Sequence, residues 1–218
     1  MGRRWPQVAG AGYSIAAVWG RGAPALPQGP FVTPGVYQLV LKVDGRTVSA
    51  PLTVKEDPRV PASPADLQAS LAFSHRLDAG LLASYRGFAE KQAVEKQLNG
   101  LADALKAKPA LAARVKSLLT RLGPATPNGP SFEGVNASLA GLEADAEAAD
   151  TAPNPAALDS ADTQLRNLEA LERNWQTIKA GELAALNGAL VAGGLKPVAA
   201  PPVEALRADA PPEGQDLP

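Results

Sequence analysis

Residues 29–60 read GPFVTPGVYQLVLKVDGRTVSAPLTVKEDPRV, and their pattern changes how the whole chain must be read. Pro34-Gly35 is a turn signal, after which Tyr37, Leu39, Leu41 and Val43 fall on one face at period two. Asp44-Gly45 supplies the pair that a type I′ hairpin turn wants at positive φ. The return strand runs from Arg46 to about Val54, with Val48, Leu52 and Val54 alternating against Thr47, Ser49 and Thr53. Pro58 has no N–H to give a ladder and ends it. A lone two-stranded hairpin is marginal in water. Its apolar face therefore needs a cover, either from the helices downstream or from a sheet beyond this stretch.

From Ser63 onward the period becomes helical. Ser63 is a good N-cap, Pro64 suits the first helical position, and Asp66 lies in the first turn. Leucines and aromatics then recur from Leu67 to Leu105 at steps of three and four, which predicts a helix over 64–106. Gly80, Gly87 and Gly100 each weaken it by about 1 kcal/mol relative to Ala, so a bend is expected. Pro109 ends or resets that helix. A second covers about 110–122 and stops at Gly123-Pro124. A third carries Phe132, Val135, Leu139 and Leu142 to near Ala149. A fourth is capped by Asn154 and opens on Pro155. Its stripe of Leu158, Ala161, Leu165, Leu168, Trp175, Ile178, Leu186 and Leu190 runs to Gly193-Gly194, where a C-terminal cap belongs. Leu168, Trp175 and Ile178 are expected to pack on the Leu81–Phe88 stripe of the first helix, giving an antiparallel bundle.

The expected fold is thus α+β but mainly α: an N-terminal hairpin, a helical bundle over 61–198, and a Pro- and Ala-rich tail, 199–218, read as disordered. Upstream, residues 1–30 carry Trp5, Tyr13, Ile15, Val18 and Trp19 among Gly, Pro and Arg, with one short strand expected near Tyr13–Val18.

The 218 residues hold 21 Lys+Arg against 22 Asp+Glu, a net charge of −1, so the total carries no electrostatic footprint for nucleic acid or an anionic membrane. Cysteine is absent, which excludes disulfides and thiolate metal sites. No apolar run is long enough to span a membrane. The opening MGRRWPQVAGAGYSIAAVWG is broken by Pro6 and by Gly10 and Gly12, and makes a poor signal peptide.

Chemistry is sparse. The single histidine, His75, neighbours Arg76 and Asp78 and has no second histidine with which to share a metal; a solvated or packing role is expected. Ser74, His75 and Asp78 lie along one helix without a nucleophile elbow or an oxyanion site, so a Ser-His-Asp reading fails. Glu143, Asp145 and Glu147 read as an exposed helical face, whereas a glycosidase needs two carboxyl groups converging across a cleft. The glycine stretches GAGYS and GRGAP lack the strand-glycine-helix setting of a phosphate or dinucleotide loop. Asn136 heads a formal glycosylation sequon inside a predicted helix, where it is incidental. Neither a catalytic residue nor a cofactor or metal site is assigned.

Residues 13–60, with the GP-x-V-x-PG-x-Y pattern running through VDG to PL-x-V and DPR, resemble the segment that follows the β-propeller in bacterial sortilin-like BNR-repeat proteins, often labelled glycosyl hydrolases. There the pattern closes an immunoglobulin- or fibronectin-like β-sandwich, and a Leu- and Ala-rich helical region follows. The stretch NWQTIKAGELAALNGALVAGGLKPV, residues 174–198, is similar to the end of that region. The resemblance implies that residues 1–60 are a partial sandwich and that the protein is exported or periplasmic. No Asp-box of the propeller type occurs in the chain.

The function expected from this is a non-catalytic structural or interaction module that packs against a propeller or docks another protein. Its sticky surface would be Trp5, Trp19, Tyr37, Leu39 and Leu41. Hydrolase activity in an absent propeller and a free-standing helical adaptor are the alternatives. No nucleic-acid partner and no membrane insertion are expected, and the oligomeric state is open.

Overall fold

A computed structural model describes residue 30 and residues 32–123, 129–148 and 150–200. The chain is mainly helical with one antiparallel hairpin at its head, as the periodicity requires. Strands β1 (Gly35–Val43) and β2 (Arg46–Val54) pair from Gly35 opposite Val54 to Val43 opposite Arg46. Asp44 and Gly45 take φ of 48° and 75°, the type I′ geometry that Asp-Gly accepts without strain at the glycine.

Helix α1 (Pro64–Gly100) starts with a full capping box: Asp66 N–H donates to Ser63 Oγ at 3.1 Å, and Ser63 N–H donates to Asp66 Oδ2 at 3.1 Å. It is one helix, and it ends at Gly100 rather than at 106. Tight turns over 101–107 lead to α2 (Pro109–Leu122), so the weak helix former Gly100, not Pro109, marks the stop. Gly80 and Gly87 serve close packing: a Cβ on Gly80 would sit 2.7 Å from a Leu139 methyl, and one on Gly87 would sit 2.3 Å from the Phe132 ring.

Ser131 caps α3 (Phe132–Glu147) and Asn154 caps α4 (Pro155–Ile178), each by accepting a backbone N–H three residues on. The single last helix expected from the sequence is divided. A π turn over Lys179–Leu183 separates α4 from α5 (Ala184–Ala192). The buried stripe explains it: Ile178 and Leu183 are five residues apart, and the extra residue keeps both facing the core. After α5, Gly194 takes φ 77°.

The core is one cluster from all the helices, including Leu77, Leu81, Val94, Leu98, Leu118, Leu139, Leu168, Trp175 and Leu190. Helix α3 lies antiparallel to α1, since Gly80 meets Leu139 and Gly87 meets Phe132. Helix α2 opposes α5, with Arg114 Nη2 donating to the Ala185 carbonyl and Lys108 to that of Gly193. Helices α1 and α4, by contrast, run the same way: Arg76 pairs with Asp162 and Glu90 with Trp175. Trp175 therefore sits just past the Phe88 end of the expected stripe.

The chain remains tied to the bundle beyond α5. Asn187 and Val198 exchange two hydrogen bonds at 2.8 Å, and Ala199 N–H donates to Gln97 Oε1 at 3.1 Å. The chain thus stays on the bundle as far as Ala199, the first residue of the expected tail, because two side-chain amides satisfy the backbone there. Residues 201–218, and the strand expected near Tyr13–Val18, lie outside the described residues.

Candidate functional site

The hairpin register places Tyr37 opposite Leu52, Leu39 opposite Ala50 and Leu41 opposite Val48. That single face is apolar, yet it stays open: Leu39, Leu41, Val48 and Leu52 are 53, 61, 64 and 40% exposed. Among the described residues, the hairpin meets the bundle at its base. Tyr37 anchors this end by donating its hydroxyl to the Thr33 carbonyl at 2.6 Å, and Gln68 of α1 reaches Thr33 Oγ1 at 3.5 Å. Tyr37, Leu39 and Leu41 therefore lie together as the sequence implied. Trp5 and Trp19 fall outside the described residues.

His75 is exposed on α1, and Asp145 is exposed on α3. Glu143 corrects the sequence reading. It is only 2% exposed, packed between α3 and α1, where Asp78 is 8% exposed and faces it. Glu147, one turn further along α3, is half-buried beside them. Both carboxylate oxygens of Glu143, Oδ1 of Asp78 and Oε1 of Glu147 are shut away from solvent; Asp78 and Glu143 share a hydrogen bond with each other, and among the described residues no other group donates to these oxygens.

Burial pushes the Glu143 carboxyl up to about 8, and the neighbouring Asp78 and Glu147 push the same way. Burial also raises Asp78, an effect that the Glu143 carboxyl and the charge of His75 partly offset. Glu147 is raised first by burial and then by Asp78. Three acids thus lie together with no basic side chain at hydrogen-bond distance among the described residues. At neutral pH the favoured state keeps a proton on Glu143, and Asp78 is the acceptor that faces it.

The sequence held a signal for this. Phe132, Asn136, Leu139 and Glu143 step by three and four down one side of α3, so Glu143 continues the buried stripe and not the solvated face. The same stripe buries Asn136, 1% exposed, whose amide donates to Ser84 Oγ at 3.0 Å and to the Leu81 carbonyl at 3.2 Å. An acceptor site for glycosylation must be reachable, and this one is not.

Glu147 and Ser74 also line a cleft of about 320 Å³ between the hairpin base, the start of α1 and the end of α3. The carboxyl groups of Asp78 and Glu143 confront each other directly, so they cannot flank a sugar as a glycosidase pair does. Among the described residues, no three His, Asp or Glu side chains are arranged to hold a metal ion. No described helix is long and apolar enough to cross a membrane. Compared with known protein families, curated proteins and solved structures, the chain matches none.

Proposed function

We propose that the chain is a non-catalytic structural and interaction module, in which the bundle holds out the hairpin and the hairpin's apolar face docks on a β-rich partner. The observation that carries this is the open face of Tyr37, Leu39, Leu41, Val48 and Leu52, which no bundle side chain covers enough to bury. Exposed apolar surface gathered in one patch marks interaction sites more often than scattered single residues do. The resemblance to the region after the propeller in sortilin-like BNR-repeat proteins supports a propeller-bearing polypeptide as that partner, in an exported setting. A glycosyl hydrolase activity finds no support in Asp78 and Glu143, which face each other directly and are walled in.

Two measurements test this reading. A hydrophobic dye should fluoresce on the purified chain, and Leu39→Ser with Leu41→Ser should remove most of that signal without shifting the thermal midpoint. Dye binding that is absent, or indifferent to those substitutions, overturns the docking face. A screen against chromogenic glycosides should show no turnover; activity lost in Glu143→Gln would overturn the non-catalytic reading.

A further inference from the structure

The register of the hairpin decides which of its two edges is open to a further strand. In an antiparallel pair, alternate opposed residues exchange both backbone hydrogen bonds, and those between turn their N–H and C=O groups outward. The two-residue Asp44-Gly45 turn makes Val43 and Arg46 the first bonded pair. Counting back, Lys42, Val40, Gln38 and Val36 of β1 face outward, and so do Thr47, Ser49, Pro51 and Thr53 of β2. Pro51 therefore leaves the ladder to β1 intact and breaks the outer edge of β2. Proline at an outward position is one of the ways in which a natural edge strand is kept from pairing.

The side chains make the same division. On the side of the hairpin away from Leu39 and Leu41, β2 presents Thr47, Ser49 and Thr53, whereas β1 presents Val36 and Val40, 77 and 53% exposed. β1 is thus largely apolar on both faces, the pattern of a strand with neighbours on either side, while β2 has the polar outer face of an edge. Among the described residues, no group pairs with the outward N–H groups of β1. Lys42 is the only charged residue of that strand; it is exposed, and no described carboxylate pairs with it.

We propose that the outer edge of β1 takes up an extended segment of the partner as a third strand, with apolar residues at alternate positions and a carboxylate opposite Lys42. Backbone hydrogen bonds supply the attachment, the apolar positions extend the face of Leu39 and Leu41, and the charge pair sets the register. β2 offers no equivalent edge, because Pro51 interrupts it. The inference rests on the hairpin's docking role and specifies the chemistry of what docks.

The probe is a capped eight-residue peptide alternating valine and threonine, with glutamate in place of one inner threonine, added to the full chain and followed by amide hydrogen exchange. In the free chain the amides of Val36, Gln38, Val40 and Lys42 should exchange fast. With peptide at about ten times its dissociation constant they should slow roughly tenfold, while those of Thr47 and Ser49 stay unchanged. Lysine in place of the glutamate should weaken binding about 2- to 10-fold, the scale of charges opposed across a strand pair. Val40→Pro removes an outward N–H without touching the ladder to β2 and should abolish binding, whereas Ser49→Pro, its counterpart on β2, should not. Should Val40→Pro unfold the hairpin, a peptide N-methylated on two adjacent inner residues, one for each of its edges, should fail to bind the intact chain. Amides of β1 already slow at every dilution would put another part of this chain on the edge, and slowing that fades on dilution would put a second copy there. Either result overturns the proposal, as does protection on β2 or none at millimolar peptide. Dye binding that still depends on Leu39 and Leu41 in those cases removes only the strand pairing and leaves the docking face standing.

Discussion

Trp175 donates its indole N–H to Glu90 Oε2 at 2.9 Å, and the same oxygen receives the Lys179 ammonium at 2.7 Å. One carboxylate on α1 thereby fixes both the end of α4 and the start of the π turn. Lys179 also lies 5.4 Å over the Trp175 ring, close enough for a cation–π contact. Trp175 itself is 4% exposed, so most of its worth is packing. Trp175→Ala should cost about 3–5 kcal/mol, the usual range for a buried large aromatic. Glu90→Gln keeps an acceptor for the indole but loses the ion pair, and should cost about 1 kcal/mol or less at this half-buried position. Chemical denaturation of the two variants checks the order. An unmoved midpoint for Trp175→Ala would mean that the contact is absent in solution.

Two glycines in helix interiors should respond oppositely to alanine. A Cβ on Gly87 would meet three atoms of the Phe132 ring at 2.3–2.7 Å, and a ring wedged in the core has little room to retreat. Gly87→Ala should destabilise by about 1–3 kcal/mol, as overpacking does. Nothing lies within 4 Å of the same position on Gly141, which is exposed on α3. Gly141→Ala should stabilise by about 0.5–1 kcal/mol through helix propensity alone. Thermal midpoints moving in the same direction would contradict the packing described for α1 against α3.

Much of this was legible without coordinates, and the rest was hidden for reasons of geometry. Ser63, Ser131 and Asn154 announce helix starts because caps are local chemistry, satisfied within three residues. Asp44-Gly45 announces the turn for the same reason. The glycines of α1 misled, since a propensity scale sees a weak point where the fold has a close approach to Leu139 and Phe132. Glu143 has the residue type of a solvated position, whereas its spacing from Leu139 puts it on the buried side. The π turn could have been read from the five-residue step between Ile178 and Leu183. The clamp on Val198 and Ala199 could not, because it needs Asn187 for the one and Gln97 for the other, from two different helices.

That clamp supplies another prediction. Asn187 gives and receives one hydrogen bond each with the Val198 backbone, and Val198 is 5% exposed. Asn187→Ala leaves a buried N–H and C=O without partners, which should cost about 1–3 kcal/mol. The effect should also be local: limited proteolysis should cut near Lys196 faster in the variant while α1 stays protected. Uniform acceleration across the chain would show instead that Val198 is integral to global stability.

The pH dependence follows from the carboxyl cluster. Glu143 is raised from an ordinary value of 4.5 to about 8, and Asp78 and Glu147 move the same way. A raised carboxyl favours the folded state while it is protonated. Below about 4.5 the unfolded chain carries the proton as well, so the stabilisation is complete there. As pH climbs from that value towards 8, the unfolded chain releases its proton freely while the fold must hold one or bury a charge, and stability falls. Asp57 and Asp66 are lowered by their partners Arg59 and Ser63, so their contribution is lost only as acidity increases further, and measurements above about pH 5 avoid it. The thermal midpoint should therefore be lower at about pH 8.5 than at about pH 5.5. Glu143→Gln keeps the shape of the protonated acid and removes its titration. It should raise the midpoint at the alkaline end and flatten the slope between the two conditions. A wild-type midpoint that rises with pH across this window, or a slope unchanged in Glu143→Gln, would show that these acids find a counter-charge in solution.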